Sequence, residues 1–391
     1  MKTWLYFWLS NNKIFLYKAP FIAAALFFIL LLSISSSAKS AVAIESAEVS
    51  SEYTSVGISV DADDAEIDAE VGVEVNAEVS PEVIIEHESE TFPGGLLRVF
   101  VFAREKIENL HVLFKRENGE QIARFNGFRY DLSQIDALAG DFSDIDCMVA
   151  IIGTGSTIRP GEYRVYVFIN NEEIYRKQFP VSIVRREFLT ATIPLNQNLS
   201  DLRTDTSERR ERESHELSGI LTRFNRENVF SSEVVRKPIN VEPFFITARF
   251  GDVRRFVYAD GETATSIHHG IDYAAATGSH IYSCAAGKVV FAGDRLITGY
   301  TIVIEHLPGL YSLYYHLDKI YVEKDKIVPK GEKIGRLGST GLSTGPHLHW
   351  EIRNQRFTVD PDYLMTNPMI DKDRIISIIN NNFTDNEARG R

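Results

Sequence analysis

Hydrophobic and polar positions alternate with a period of two over two long stretches of the chain, and with a helical period over one short stretch between them. From about 83 to 190 the alternation comes in brief runs. Arg98-Val99-Phe100-Val101-Phe102 and Tyr163-Arg164-Val165-Tyr166-Val167-Phe168-Ile169 are β-branched and aromatic, as half-buried strands are. Turn pairs separate such runs at Pro93-Gly94, Asn118-Gly119, Pro160-Gly161 and Asn170-Asn171. Short strands between turns predict a β-sandwich-like domain over 83–190. Within 191–240, Leu217, Ile220, Leu221 and Phe224 recur at spacings of three and four, one face of a helix, so this segment reads as a helical connector. Its Arg/Glu run reads as a solvated face with i,i+4 ion pairs, interrupted by Gly219. Short strands and glycine turns return over 241–365, and 366–391 reads as a C-terminal tail. The expected fold class is mainly β.

The first 82 residues follow different rules. Lys2, Lys13 and Lys18 precede an apolar run, Ala19 to Ile34, broken only by Pro20 and Ser33. Ala41-Val42-Ala43 then has the form of a signal-peptidase site. The run is shorter than the ~20 residues that span a bilayer comfortably. Residues 1–43 therefore read as a signal peptide or, because the region before the apolar run is long, as an anchor contacting the inner membrane through 19–34. Either reading exports the remainder to the periplasm or cell envelope. Residues 44–82 read as an acidic flexible spacer, with 11 Asp or Glu and no Lys or Arg over 44–80.

Composition narrows the function. The net charge of −12 (42 basic against 54 acidic residues) is concentrated in that spacer, so a basic nucleic-acid footprint is absent. A hydrophobic content of 44% over 391 residues supports two or three domains with real cores. The two cysteines, Cys147 and Cys284, exclude a disulfide scaffold, a Cys₄ zinc site and an iron–sulfur cluster, and leave at most one bridge.

Histidines carry the chemistry. Seven of the ten fall between 268 and 349. His268 and Asp272, at i and i+4 around Gly270, offer a nitrogen and a carboxylate to one cation if the chain bends between them. Alone, that spacing is weak. In the strand Gly345-Pro346-His347-Leu348-His349-Trp350-Glu351-Ile352, His347 and His349 share one face while Leu348, Trp350 and Ile352 share the other. One imidazole can then act as a ligand with the other beside it. His316 ends an apolar strand at Leu313-Tyr314-Tyr315-His316-Leu317. His87 and His111 are isolated, His280 reads as structural, and His269 and His306 receive no role.

Together these pieces make residues 245–363 resemble the lysostaphin-type (LytM-like) zinc metallopeptidases, a family of murein endopeptidases. The family's H-x-G-x-D matches His268 to Asp272, its Y-x-H-L matches Tyr314 to Leu317, and its T-G-P-H-L-H-W/F-E segment matches Thr344 to Glu351. The glycine hairpins Arg249-Phe250-Gly251, Ala286-Gly287-Lys288-Val289 and Lys330-Gly331-Glu332-Lys333-Ile334-Gly335 match as well. Cys284 departs from the pattern where a small residue is usual, and reads as a buried hydrophobe. Residues 90–235 more loosely resemble the β-domain and connector that precede this domain in some exported members.

The resemblance implies an antiparallel β metallopeptidase domain over 241–365 and one Zn²⁺ per chain, bound by His268, Asp272 and His349. Three protein ligands leave an open position, the mark of a catalytic site. It also implies catalytic roles for His316 and His347, divided between water activation and oxyanion stabilisation. The implied substrate is the cross-linking peptide of peptidoglycan, with the bond left open among d-Ala–diaminopimelate, a glycine bridge or another linkage. Two rival readings are a non-catalytic relative that activates amidases, whose signature is a lost ligand, and a wall-binding or adhesion role for the β-domain at 83–186.

Overall fold

The computed structural model describes residues 83–138, 142–170 and 176–383, together with a two-residue antiparallel pair, Leu9–Ser10 with Lys13–Ile14. Apart from that pair, the signal or anchor segment and the acidic spacer lie outside the described residues. No helix among the described residues is long and apolar enough to cross a membrane.

The first β region contains β1 (Ile84–His87), β2 (Glu90–Thr91), β3 (Leu96–Ala103), β4 (Leu110–Arg116), β5 (Gln121–Arg129), β6 (Asp146–Gly153), β7 (Gly161–Ile169) and β8 (Lys177–Ile183). Their order is β1-β3-β6-β5-β4-β7-β8-β2. The sheet folds over on itself at β5. Its first part pairs with β4, and from Gly127 onward it pairs with β6. A Cβ at Gly127 would lie 2.6 Å from the Leu110 side chain, so the bend needs glycine there. The two halves close over Val99, Val101, Phe114, Phe125 and Val165, a sandwich-like core as the alternation predicts.

One strand departs from the expectation of half-burial. All eight residues of β3 are buried. Leu97, Val99 and Val101 face the sandwich core, while Leu96, Phe100 and Phe102 join a second core that runs on into the C-terminal half of the chain. Arg98 shares that second face. Its guanidinium donates to the carboxylate of Glu88 (2.8 Å) and to the carbonyls of Met369 (3.0 Å) and Pro368 (2.5 Å).

The connector begins with β9 (Thr190–Pro194), followed by α1 (Gln197–Thr204) and α2 (Glu208–Leu221), capped by Asn196 and Ser207. The Arg/Glu face forms the expected i,i+4 pairs, Arg209 with Glu213 and Arg212 with Glu208. Ile220 and Leu221 pack on Val303, Leu313 and Tyr315. The helix ends at Leu221, so Phe224 lies beyond it.

The second β region holds β10 (Phe245–Ala248), β11 (Val253–Val257), β12 (Thr263–Ile267), β13 (Gly270–Ala274), β14 (His280–Tyr282) and β15 (Gly287–Arg295). It continues with β16 (Gly299–Leu307), β17 (Leu310–Ile320), β18 (Ile327–Val328), β19 (Lys333–Leu337), β20 (His347–Asn354) and β21 (Phe357–Val359). The path β10-β13-β20-β17-β16-β15-β18 forms an antiparallel sheet, with β14, β19 and β21 attached to it. A separate three-stranded sheet, β9-β11-β12, brings a connector strand against the hairpin that precedes the site. In this region too, residues i and i+2 share a face. Tyr315, which α2 covers, pairs directly with His349, so α2 packs on the site-bearing face of the sheet.

Helices α3 (Pro361–Thr366) and α4 (Lys372–Asn382) close the described chain. Residues 366–391, read as a tail, include α4. Its Ile375, Ile378 and Ile379 are buried in the core that Phe100 and Phe102 also enter. The spacing of three and four in those isoleucines is a helix-face signal. Both cysteines are buried and free.

Candidate metal centre

Strand register places the donors. In the ladder between β13 and β20, Asp272 pairs with His349 and Gly270 with Glu351. A Cβ at Gly270 would lie 2.2 Å from the Trp350 carbonyl oxygen. Glycine thus serves close strand approach here, rather than the bend expected from sequence. His268 lies two residues before β13, and its main-chain N–H donates to the Asp252 carbonyl (2.8 Å). Leu348, Trp350 and Ile352 are buried on the opposite face of β20, as the alternation requires.

Three atoms converge. The Asp272 Oδ1 lies 3.0 Å from His268 Nε2 and 2.7 Å from His349 Nδ1, and the two nitrogens are 2.9 Å apart. Each imidazole has its other nitrogen engaged. His268 Nδ1 donates to the Arg249 carbonyl (2.8 Å), and His349 Nε2 donates to Glu351 Oε1 (2.9 Å). In neutral imidazoles those bonds fix the tautomers, so both lone pairs point at the carboxylate. Three buried acceptors facing one another need a cation among them, and two imidazoles with a carboxylate are a zinc donor set. The residues present fit the metal.

Electrostatics carry the same message. Burial disfavours charge on His349, but Asp272 and Glu351 outweigh it and raise its pKa to about 9. Without metal, a proton supplies the positive charge. Burial also opposes ionisation of Asp272 and Glu351. The neighbouring imidazoles hold Asp272 well below the usual carboxylate range, and Arg353 and His349 do the same for Glu351. Arg353 Nε donates to Glu351 Oε2 at 2.6 Å, completing a chain from His349 to a guanidinium.

His316 and His347 stand beside the triad, their rings 4.7 Å apart between centroids. His347 Nδ1 donates to the Gly345 carbonyl (2.8 Å), and its Nε2 lies 3.9 Å from Asp272 Oδ1. His316 Nδ1 donates to the Thr340 carbonyl (2.7 Å). The backbone of His316 has φ +60°, in the left-handed region. A non-glycine residue held there suggests that side-chain placement outweighs local strain. Burial, then the neighbouring imidazoles, depress His316 to about 3. His347 is also lowered, chiefly by burial. Both are neutral near pH 7 and offer an Nε2 lone pair.

All five sequence-predicted residues therefore meet. Sequence reasoning gave no role to Glu351, Arg353 or Arg254. The first lies inside the quoted motif, two residues from His349 and on its face, and that spacing is the available signal. Arg254, on β11, donates from Nη2 to Asp272 Oδ2 and has no short-range signal. Of the remaining histidines, His280 is exposed at the start of β14, an ordinary strand position. His306 is buried on a hydrogen bond to the Ala286 carbonyl (2.8 Å).

Residues 266–361 match the profile of peptidase family M23. The peptidoglycan DD-endopeptidase ShyB of Vibrio cholerae is 42% identical over 93 residues, covering 24% of this chain and 22% of that protein. The DD-carboxypeptidase/endopeptidase Mpg of Neisseria meningitidis is 42% identical over 95 residues, covering 24% and 22%. A putative peptidase M23 of Pseudomonas aeruginosa superposes with a TM-score of 0.44 at 22% identity, over 70% of this chain and 94% of that one. The chain thus spans about a fifth of the length of the curated relatives it matches. Within the C-terminal β region, residues 266–361 are similar to peptidase family M23.

Proposed function

We propose that this protein is an exported, zinc-dependent endopeptidase that hydrolyses the peptide cross-links of peptidoglycan in the periplasm or cell envelope. The supporting observation is the meeting of His268 Nε2, Asp272 Oδ1 and His349 Nδ1, with both imidazoles tied at their far nitrogens. His268, Asp272 and His349 would hold one Zn²⁺, a three-residue donor set of the kind found at catalytic sites. When bound, Zn²⁺ supplies Lewis acidity that polarises a scissile carbonyl and acidifies a water. His316 and His347 do the proton work. Their Nδ1–H groups are held by backbone carbonyls, so each accepts a proton at Nε2 and can return it to the leaving amine. In their protonated forms they also donate to the developing oxyanion. Glu351 and Arg353 keep His349 in the ligand tautomer.

The likeness to relatives named as DD-endopeptidases directs the choice of bond to the D,D cross-link. Mass analysis of soluble products from a sacculus digest tests this reading. Monomeric muropeptides released at the expense of D,D-linked dimers are expected. Products cut elsewhere, or no products from zinc-loaded protein, would overturn it.

A further inference from the structure

Asp272 divides its two oxygens. Oδ1 faces His268 and His349, while Oδ2 accepts from Arg254. Arg254 lies outside the matched residues 266–361, on the middle strand of the small sheet formed by β9, β11 and β12. β9 runs parallel to β11 from the connector and is held at both ends. The Val253 N–H donates to the Leu189 carbonyl (2.7 Å), and the Leu195 N–H donates to the Val257 carbonyl (2.8 Å). Alternation puts Arg254 and Phe256 on one face of β11, with Arg255 on the other and exposed. The connector braces that first face as well, since the Arg203 guanidinium of α1 sits 3.7 Å from the Phe256 ring centroid.

We infer that Arg254 is a positioning residue for the metal centre. It holds Oδ2 so that Asp272 offers a single oxygen, Oδ1, to the cation, and the connector segment 189–204 holds Arg254. The inference rests on the proposed metal reading. Two effects compete. A guanidinium beside a cation repels it, whereas a fixed ligand spares the cost of ordering the carboxylate on binding. Partners that orient ligands are typically worth 10–100-fold in metal affinity. Here the guanidinium charge is already balanced by the carboxylate it holds, so orientation is expected to win.

The test is the Zn²⁺ dissociation constant of the full chain, measured by competition with a chromogenic chelator. Arg254→Met is expected to weaken binding by about 10-fold or more. Arg254→Lys should recover part of the loss, because an ammonium can reach one oxygen but lacks the planar fork. Arg255→Met removes the same charge from the other face and should leave the constant unchanged. The d–d spectrum of the Co²⁺-substituted protein adds a readout of coordination, and should change for Arg254→Met alone. Unchanged or tighter zinc binding by Arg254→Met, with an unaltered melt of the metal-free protein, would overturn the inference. So would an equal loss in Arg255→Met. A wild-type chain that takes up no zinc would instead overturn the metal reading on which the inference rests.

Discussion

β3 and β20 are both eight-residue strands with two covered faces, and they are covered for different reasons. In β3 both faces are apolar apart from Arg98, and the strand acts as a wall shared by two cores. In β20 one face is apolar, through Leu348, Trp350 and Ile352, while the other carries His349 and Glu351. Burying ionisable groups costs free energy unless they are paired. On β20 the pairs run outward from a point where three acceptors meet, and the Arg254 guanidinium takes the other oxygen of Asp272 rather than standing among them. On β3 the contacts of Arg98 end within the fold, on Glu88, on the Tyr363 hydroxyl and on backbone carbonyls beside α4. A buried charge that closes its own contacts supports the fold. A buried cluster whose acceptors face one another marks a site.

Removing a donor from the β20 side has the largest expected effect. His268→Ala, Asp272→Ala and His349→Ala should each lose zinc and hydrolysis, because two remaining ligands cannot replace a third. Metal stoichiometry by mass spectrometry checks this, and wild-type zinc with retained turnover in any of the three would break the contrast. On the β3 side, Arg98→Met should destabilise the protein by about 3 kcal/mol, since Glu88 and the carbonyls lose their donor. Turnover per folded molecule should stay near wild type. Denaturant titration together with active-site-normalised rates would expose the opposite pattern.

His316 and His347 sharpen the boundary within the site. His347→Ala and His316→Asn should keep zinc and lose ~10²-fold in turnover. Asn tolerates the left-handed backbone, so His316→Asn should not lower stability. Zinc lost in step with activity would make these residues ligands and would redraw the triad.

The sequence made part of this arrangement readable. Period two in β20 separates His347 and His349 from Leu348, Trp350 and Ile352 without knowledge of the fold, and the resemblance joins them to His268, Asp272 and His316. Arg254 could not be found in the same way. Its partner is 18 residues away and reaches it only because two separate sheets meet at Asp272. β9 was also hidden, as Thr190-Ala191-Thr192-Ile193-Pro194 is largely exposed and has no apolar alternation to advertise a parallel pairing. The second buried face of β3 depends on α4, and an isoleucine spacing of three and four is a short signal at the end of a polar segment.

A further effect is pH-dependent stability, traced to two imidazoles on the scaffold, the buried His306 and the half-buried His269. Burial lowers His306 to about 4, against 6.5 for the free imidazole. Between those values the unfolded chain holds one proton more than the folded chain, so stability falls as pH drops from about 6.5 to about 4. The slope is about 1.4 kcal/mol per pH unit for each such group. His269, also lowered to about 4 by burial, acts in the same window. Denaturant midpoints at pH 7.5 and pH 5 measure the change. A flat profile would mean that these imidazoles take up protons in the folded protein.

The most direct test of the central claim is a zinc titration of the metal-free full chain, followed by hydrolysis of a purified D,D-cross-linked muropeptide dimer. Hydrolysis should be absent at the start, rise linearly with added Zn²⁺ and level off at one equivalent per chain. Hydrolysis that proceeds in excess chelator, or that never appears at full zinc occupancy, would contradict the assignment of the His268, Asp272 and His349 cluster as a catalytic metal site.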